Sequence, residues 1–217
     1  MIYPPLKSDF HLPVLQVETE AGRTVALDTL IHTDNKEGMT LLIPGFTHCH
    51  GTCPLQIQAY KKLLHGESHR SVSLLFFSFN PEDTAEALRE FHAEQGAPAG
   101  WTFLRADAAT TQQLLDSLQF TTMKVGENFD HPVQAFAFSS DGTWLGSLYG
   151  LDVTEKEVEQ MQHKAEMQVT SPVLYTILSR VKNPNVLAVY GGAGCVISLL
   201  VIFYFLFFSK RKPSLSH

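Results

Sequence analysis

Two of the three cysteines in the 217-residue chain lie four residues apart in the stretch "THCHGTCP". Cys49 is flanked by His48 and His50, and Cys53 is followed directly by a proline. Two close thiols can form a reversible disulfide, or they can bind a soft metal ion as thiolates. A small, thiolate-rich ligand set favours Cu(I), whereas Zn(II) prefers four ligands. A permanent structural disulfide is the third alternative, but it would close a very small loop and contribute little stability.

The segments around the cysteines predict a strand that leads into a helix. A continuous apolar run at residues 39–46, "MTLLIPGF", precedes them and is typical of a buried central strand. Apolar residues near helical spacing follow from Pro54 onward. If both cysteines lie on one helical turn, their sulfurs face the same way. The start of a helix favours negative charge, so we expect at least one thiol to have a lowered pKa.

The remaining elements alternate between strands and helices. A second buried strand is predicted at residues 71–79, and Asn80 is expected to cap the helix that follows and ends at Gly96. "HPVQAFAF" and "TWLGSLYG" are predicted strands joined by the turn "SSDG". Residues 154–167 predict an amphipathic helix. This order predicts an α/β fold, a thioredoxin-like mixed sheet flanked by helices.

A third metal ligand is predicted at His131, which directly precedes the strand "HPVQAFAF". In a thioredoxin-like fold, the loop before this strand faces the helix start that carries the cysteines, so His131 can reach both sulfurs. His48 and His50 are expected to be exposed, because neighbouring side chains on a loop diverge. The other histidines in polar or helical contexts are predicted to lie at the surface: His11, His32, His65, His69, His92 and His163.

A C-terminal transmembrane helix is predicted at residues 186–208, a run of 23 residues without a charge. A helix of this length measures about 34 Å, enough to cross the hydrocarbon core of a membrane. The third cysteine, Cys195, lies in this run and is interpreted as a small apolar residue. Lys210, Arg211 and Lys212 follow. They predict a cytoplasmic tail and an N-terminal domain on the opposite side of the membrane.

The predicted organisation has four parts. All 22 acidic residues but only 13 of the 16 basic ones precede the membrane helix, so the outer part has a net charge of −9. That charge argues against nucleic-acid binding. Residues 1–14 lack the basic and apolar regions of a signal peptide, and we expect a leader to be missing from this sequence. The parts are a thioredoxin-like domain at 1–170, a juxtamembrane linker at 171–185, the transmembrane helix at 186–208 and a basic tail at 209–217.

Several stretches together resemble the Sco/SenC family, membrane-anchored copper proteins needed to assemble cytochrome c oxidase. The resemblance is carried by "GFTHCHGTCP", "SFNPEDTAEAL" and "DHPVQAFAFSSDG", and it extends from about residue 24 to 180. "LYGLDVTEKEVEQ" resembles bacterial members that have a C-terminal membrane helix. The chain departs from the family at two positions. Asn80 stands where the family usually has Asp, and His50 replaces a residue that is often Pro.

The resemblance implies a copper site whose ligands are Cys49, Cys53 and His131. It also implies that the chain delivers copper to the dinuclear copper site of cytochrome c oxidase subunit II, or reduces the cysteines of that site. Reduction would use Cys49 and Cys53 as the catalytic pair and a thioredoxin-like reductant as a further partner. The expected location is the inner (plasma) membrane, with the domain facing the periplasm.

We interpret the chain as a metallochaperone rather than an enzyme, because only metal binding requires His131. A thiol–disulfide oxidoreductase is the alternative. The paired cysteines argue against a peroxidase, which generally needs one activated cysteine. The presence of all three ligand types argues against an adaptor with a vestigial site.

Overall fold

A computed structural model describes the fold for residues 6, 10–31, 38–65, 69 and 71–170, with side chains up to residue 168. These residues belong to the first of two units of the chain, Met1–Pro172. The predicted linker, transmembrane helix and basic tail, together with Cys195 and His32, lie outside the described residues. Within the described part, no helix is both long and apolar enough to span a membrane.

The described residues contain nine strands, which are numbered in chain order. They are β1 (Gln16–Thr19), β2 (Thr24–Ala26), β3 (Met39–Gly45), β4 (Val72–Ser78), β5 (Thr102–Arg105), β6 (Met123–Val125), β7 (Asn128–Asp130), β8 (Gln134–Ser139) and β9 (Trp144–Tyr149).

Five helices connect or follow these strands in the described part of the chain. They are α1 (Leu27–Ile31), α2 (Thr52–Leu63), α3 (Ala85–Glu94), α4 (Ala108–Ser117) and α5 (Glu155–Thr170).

Seven of the strands form one mixed sheet in the order β2-β1-β5-β4-β3-β8-β9, and β6 and β7 pair separately as a hairpin. Strands β3, β4 and β5 are parallel, whereas β8 runs antiparallel to β3. The carboxyl ends of β3 and β4 therefore lie at the same sheet edge as the amino end of β8. The loops after β3 and β4 and the loop before β8 meet at this edge, which is a usual place for a functional site in open α/β sheets.

The central strands are buried along most of their length, because helices cover the sheet. Every residue of β3 is buried, as is every residue of β8. Such continuous burial is typical of strands that have both faces covered. Aromatic rings dominate the packing between the sheet and α3, where Phe76 of β4 lies 5.3 Å from Phe91 and 5.0 Å from Phe103, centroid to centroid.

The α/β fold with a mixed sheet and flanking helices is confirmed. The predicted strands at 39–46 and 71–79 are β3 and β4, and the predicted hairpin is formed by β8 and β9. The helix predicted at 154–167 is α5. The sequence did not predict α1 or the hairpin of β6 and β7.

The predicted capping role of Asn80 is wrong. Helix α3 begins at Ala85, and its cap is Thr84, whose side chain accepts a hydrogen bond from the Ala87 amide. Asn80 instead forms a local turn in which its side-chain oxygen accepts from the Glu82 amide. This is the competing use of Asn side chains that makes them frequent in turns as well as caps. The helix does end near Gly96, which has a φ of +51°.

Candidate metal site

The first cysteine lies in the loop after β3, and the second lies in the first turn of α2. Cys49 precedes the helix, which begins at Thr52, whereas Cys53 is the second helical residue. The expectation that both cysteines lie on one helical turn is therefore wrong. Both are free thiols and both are buried.

The two sulfurs nevertheless lie close together, because the helix start is directed at Cys49. The backbone amide of Cys53 donates a hydrogen bond to the Cys49 Sγ atom at 3.4 Å. The amides of the first helical turn have no partner within the helix, so a sulfur placed there can accept from them. The loop thus brings Cys49 to the position where the helix N-terminus favours a thiolate.

Gly45, the last residue of β3, permits this close packing. A Cβ atom at this position would lie 2.6 Å from the Phe76 ring and 3.2 Å from the Cys53 Sγ atom. The first distance is shorter than van der Waals contact allows. The absence of a side chain therefore lets the helix that carries Cys53 settle against the end of the strand.

His131 approaches the sulfurs from the loop between β7 and β8. Its Nε2 atom lies 3.9 Å from Cys53 Sγ, and its Nδ1 atom lies 3.0 Å from the carbonyl oxygen of Pro132. A carbonyl oxygen only accepts, so Nδ1 carries the proton and donates it there. The lone pair of Nε2 is therefore directed at the cysteines, which is how ligating histidines are usually held.

The ligand atoms of Cys49, Cys53 and His131 all lie within 4.8 Å of one another, and this group could hold a metal ion. Zinc, for example, bonds sulfur and nitrogen at about 2.0–2.3 Å, so atoms this close need only small shifts to share one ion. Two thiolates and one imidazole are soft ligands that suit Cu(I).

Aromatic rings surround the imidazole of His131. The ring centroid of Phe79 lies 5.2 Å away, that of Phe120 lies 5.9 Å away, and that of Phe46 lies 6.0 Å away. Phe129 of the β6–β7 hairpin packs on both Phe46 and Phe79. This apolar layer limits the access of water to one side of the site.

Hydrogen bonding shifts the pKa values of the two thiols in opposite directions. A hydrogen bond from the Cys53 thiol is the main reason why the pKa of Cys49 lies well below its usual range, and bonds from backbone amides act in the same direction. The same pairing raises the pKa of Cys53, and burial adds to the effect. These opposite shifts favour a thiolate at Cys49 and a protonated thiol at Cys53 when no metal is bound. The expectation of a lowered thiol pKa is confirmed, with the partner thiol as its largest cause.

Asp83 is a buried carboxylate beside the site that sequence reasoning missed. It accepts hydrogen bonds from the Thr47 amide at 2.8 Å, the Ser78 hydroxyl at 2.6 Å and the Asn80 side-chain amide at 3.0 Å. These bonds join the loop after β3 to the loop after β4. The family resemblance indicates a lost carboxylate at position 80, but a carboxylate is present three residues further on, and Asn80 is one of its donors. Asp83 lies in the stretch "SFNPED", which resembles the start of a helix. The sequence therefore contained no indication that Asp83 accepts hydrogen bonds from two loops.

The other histidines divide into exposed and buried ones. His48 and His50 are exposed as expected, and so are His11, His65 and His163. The prediction is wrong for His69, which is buried and whose Nδ1 atom lies 2.8 Å from the Gln162 side-chain oxygen. It is also wrong for His92, which stacks on Phe103 at 4.4 Å. The His92 ring thus covers apolar surface, whereas the His69 ring makes polar contacts with Gln162 and Glu155.

The fold and the site together define a thioredoxin-like protein with a Cys–Cys–His group suited to a metal ion. A family model described as SCO1/SenC matches residues 28–166, and the chain belongs to this family. No curated protein sequence matches the chain. The predicted family is thus confirmed.

Three solved structures illustrate the likeness. A protein from Aquifex aeolicus VF5 is 25% identical with a TM-score of 0.65, over 72% of this chain and 92% of its own. ScoI from Bradyrhizobium japonicum, solved with copper bound, is 21% identical with a TM-score of 0.59, over 71% and 98%. BsSco, described as a Sco-family cytochrome c oxidase assembly protein with a disulfide switch, is 21% identical with a TM-score of 0.59, over 76% and 98%.

Proposed function

We propose that the chain is a membrane-anchored copper metallochaperone that delivers copper to the dinuclear copper site of cytochrome c oxidase subunit II. The observation that carries this proposal is the group formed by Cys49, Cys53 and His131, whose ligand atoms lie within 4.8 Å of one another. Two sulfurs and an imidazole suit Cu(I), and a set of only three protein ligands leaves a position from which a partner can take the ion.

Membership of the SCO1/SenC family supports the proposal. The copper-bound ScoI structure shows that a protein of this fold binds copper, and the description of BsSco associates the family with oxidase assembly. The fixed orientation of His131 supports metal binding in this chain itself. An imidazole whose Nδ1 is hydrogen-bonded to a carbonyl presents Nε2 as a ligand.

Anchoring and location form part of the proposal. The uncharged run at 186–208 and the basic residues after it favour a bacterial-type C-terminal membrane helix, with the domain at 1–170 in the periplasm and the tail at 209–217 in the cytoplasm. A reporter protein that is active only in the cytoplasm should be active when it is fused after His217. Activity only outside the cytoplasm would show that the orientation is reversed.

A thiol–disulfide oxidoreductase that reduces the cysteines of the oxidase site is the second candidate. It is favoured by the opposite pKa shifts of Cys49 and Cys53, because an ionised, attacking thiol beside a protonated one is suited to disulfide exchange. A thioredoxin-like reductant would then restore the dithiol. This candidate uses the same two sulfurs but does not need His131.

Copper binding by the purified full chain in detergent tests the first candidate. The reduced chain should bind one equivalent of Cu(I) tightly, and Cys49→Ser or Cys53→Ser should abolish tight binding because each removes a thiolate. Cys195→Ser is the matched control, since it removes the third cysteine of the chain, which is not one of the three candidate ligands. A Cys49→Ser chain that still holds a full, tightly bound equivalent would refute the proposal.

A further inference from the structure

His48 is an exposed imidazole that directly precedes Cys49 in the loop after β3. Its side chain is 71% exposed, whereas Cys49 and Cys53 are both buried. Its Nδ1 atom lies 3.0 Å from the Thr47 hydroxyl and 3.4 Å from the buried carboxylate of Asp83. The ring is therefore held at one end and open to solvent at the other.

The contacts with Thr47 and Asp83 both engage Nδ1 of His48, and among the described residues no contact engages Nε2. The Nε2 atom lies at the other side of the ring, and in the neutral tautomer with the proton on Nδ1 its lone pair can bind a metal ion. A carboxylate or carbonyl behind one ring nitrogen is the usual arrangement of histidines that bind metals through the other. His131 shows the same arrangement, with the Pro132 carbonyl in place of a carboxylate.

A cavity of about 380 Å³ opens beside this ring, between the loops after β3 and β4 and the β6–β7 hairpin. His48 and Phe129 both line it. Phe129 packs on Phe46 and Phe79, which in turn contact the ring of His131. His48 thus offers a metal ligand on the cavity, while His131 lies behind the aromatic layer.

We infer that His48 Nε2 is the receiving ligand for Cu(I), which it takes up at this cavity and passes to Cys49. The inference rests on the proposed copper function and adds a residue to it. The three ligands of the candidate site do not include His48, whose role would be transient. Cys49 and Cys53 are buried, so a molecule that donates copper cannot contact their sulfurs freely. Binding to His48 first would shorten the time that copper needs to reach them.

The transfer is a sequence of ligand exchanges in which copper remains Cu(I) and no electron moves. A Cu–N bond to His48 forms as a bond to the donor's ligand breaks. The Cys49 thiolate then bonds the ion as the bond to His48 breaks. Bonding to Cys53 and His131 follows, and the Cys53 thiol releases its proton to water.

His50 provides a matched control on the other side of Cys49. It is also an exposed histidine one residue from the same sulfur. In the part of the chain that the structure describes, no hydrogen bond or ion pair orients its ring as Asp83 orients that of His48. A difference between variants at the two positions therefore reports on a ligand at position 48 and not on the mere presence of an exposed imidazole beside Cys49.

The test measures how fast the reduced full chain in detergent takes Cu(I) from its bicinchoninate complex, followed by the loss of the complex's visible colour. His48→Ala should slow uptake by about 10-fold or more, the size of effect expected when a metal site loses a supporting residue. His50→Ala should leave the rate unchanged. His48→Met, which restores a soft ligand without the Nδ1 contact, should recover most of the rate. The final copper content and affinity should be the same in all of these chains.

The outcomes separate this inference from the proposed function. If the unmodified chain takes up no Cu(I), both fail. If it takes up one equivalent and His48→Ala loads as fast as His50→Ala, the copper function stands and the receiving role is wrong. If His48→Ala lowers the equilibrium affinity by as much as the rate, His48 is a permanent ligand, and the receiving role is again wrong. The His48→Met variant controls for a folding defect in His48→Ala. Recovery of the uptake rate in this variant would show that position 48 needs a metal ligand and not specifically a histidine.

Discussion

The Nε2 atom of His131 lies 3.9 Å from the Sγ atom of Cys53, although the two residues are 78 positions apart in the chain. The sheet explains this proximity, because β8 runs antiparallel to β3 and its amino end therefore meets the carboxyl end of β3. The Pro132 carbonyl fixes the imidazole from behind. The site is thus largely assembled before a metal arrives, which reduces the reorganisation that binding requires.

We predict that Gly45→Ala destabilises the protein and weakens copper binding. The new Cβ would lie 2.6 Å from the Phe76 ring and 3.2 Å from Cys53 Sγ, so the buried Phe76 ring must shift and the Cys53 side chain is crowded. Overpacking of this kind typically costs about 1–3 kcal/mol in the free energy of unfolding. Gly51→Ala is the control, because a Cβ there meets nothing within 4 Å. Equal stability of the two variants in urea unfolding would contradict the prediction.

We predict that Asp83→Ala is strongly destabilising. It leaves the Thr47 amide, the Ser78 hydroxyl and the Asn80 side-chain amide without their acceptor in a buried setting. Each such loss costs about 1–3 kcal/mol. Glu82→Ala removes a neighbouring carboxylate whose side chain is 76% exposed, and it should change the free energy of unfolding very little. If the two variants unfold at the same urea concentration, the Asp83 bonds do not join the two loops as described.

We predict that the thiol pair stabilises the metal-free, reduced protein most near about pH 8.5, the ordinary pKa of a thiol. The pKa of Cys49 is lowered in the folded state, so its contribution is fully present above that pH and is lost as the pH falls. The pKa of Cys53 is raised, so its contribution is present below that pH and is lost as the pH rises.

Urea unfolding across the pH range tests this for the unmodified chain and for the double variant Cys49→Ser with Cys53→Ser. The difference in the free energy of unfolding should rise towards about pH 8.5 and decrease again above it. Cys195→Ser should follow the unmodified chain. A difference that does not vary with pH would show that the two thiols titrate normally.

The sequence predicted those parts of the site that depend on local pattern and on strand order. The apolar run before Cys49 indicated a buried strand, and the position of His131 before another strand placed it at the same sheet edge. The first inference needs only the apolar run, which is typical of a strand covered on both faces. The second uses the thioredoxin-like arrangement, in which the loop before this strand faces the helix start that carries the cysteines. The order of elements then sufficed to bring the three ligands together.

The sequence could not predict features that depend on partners from several segments. Asp83 is buried because three separate residues donate to it, and a single carboxylate in "NPED" carries no sign of that. The hairpin of β6 and β7 escaped prediction for a different reason. Its strands have three residues each and β6 is exposed throughout, so no alternation of apolar and polar residues marks them.

The last prediction separates the two candidate functions, which share Cys49 and Cys53 but not His131. Copper delivery needs the imidazole as a ligand, whereas thiol exchange needs only an accessible, ionised sulfur. His131→Ala should therefore weaken Cu(I) binding by more than the about 10- to 100-fold that follows when a residue behind a ligand is changed. The variant should still cycle between dithiol and disulfide, which thiol titration after oxidation and reduction would measure.

In cells, His131→Ala should prevent assembly of a fully metallated cytochrome c oxidase when copper is scarce. His163→Ala is the control, because it removes an exposed histidine of α5, far along the chain from the three ligands. If cells with His131→Ala assemble the metallated oxidase at low copper, the metallochaperone proposal fails and the reductase takes its place. If the variant loses both copper binding and dithiol cycling, both activities depend on the imidazole and His131 does not separate the two candidates. Loss of copper binding alone, with cycling intact, is the result expected of a copper chaperone.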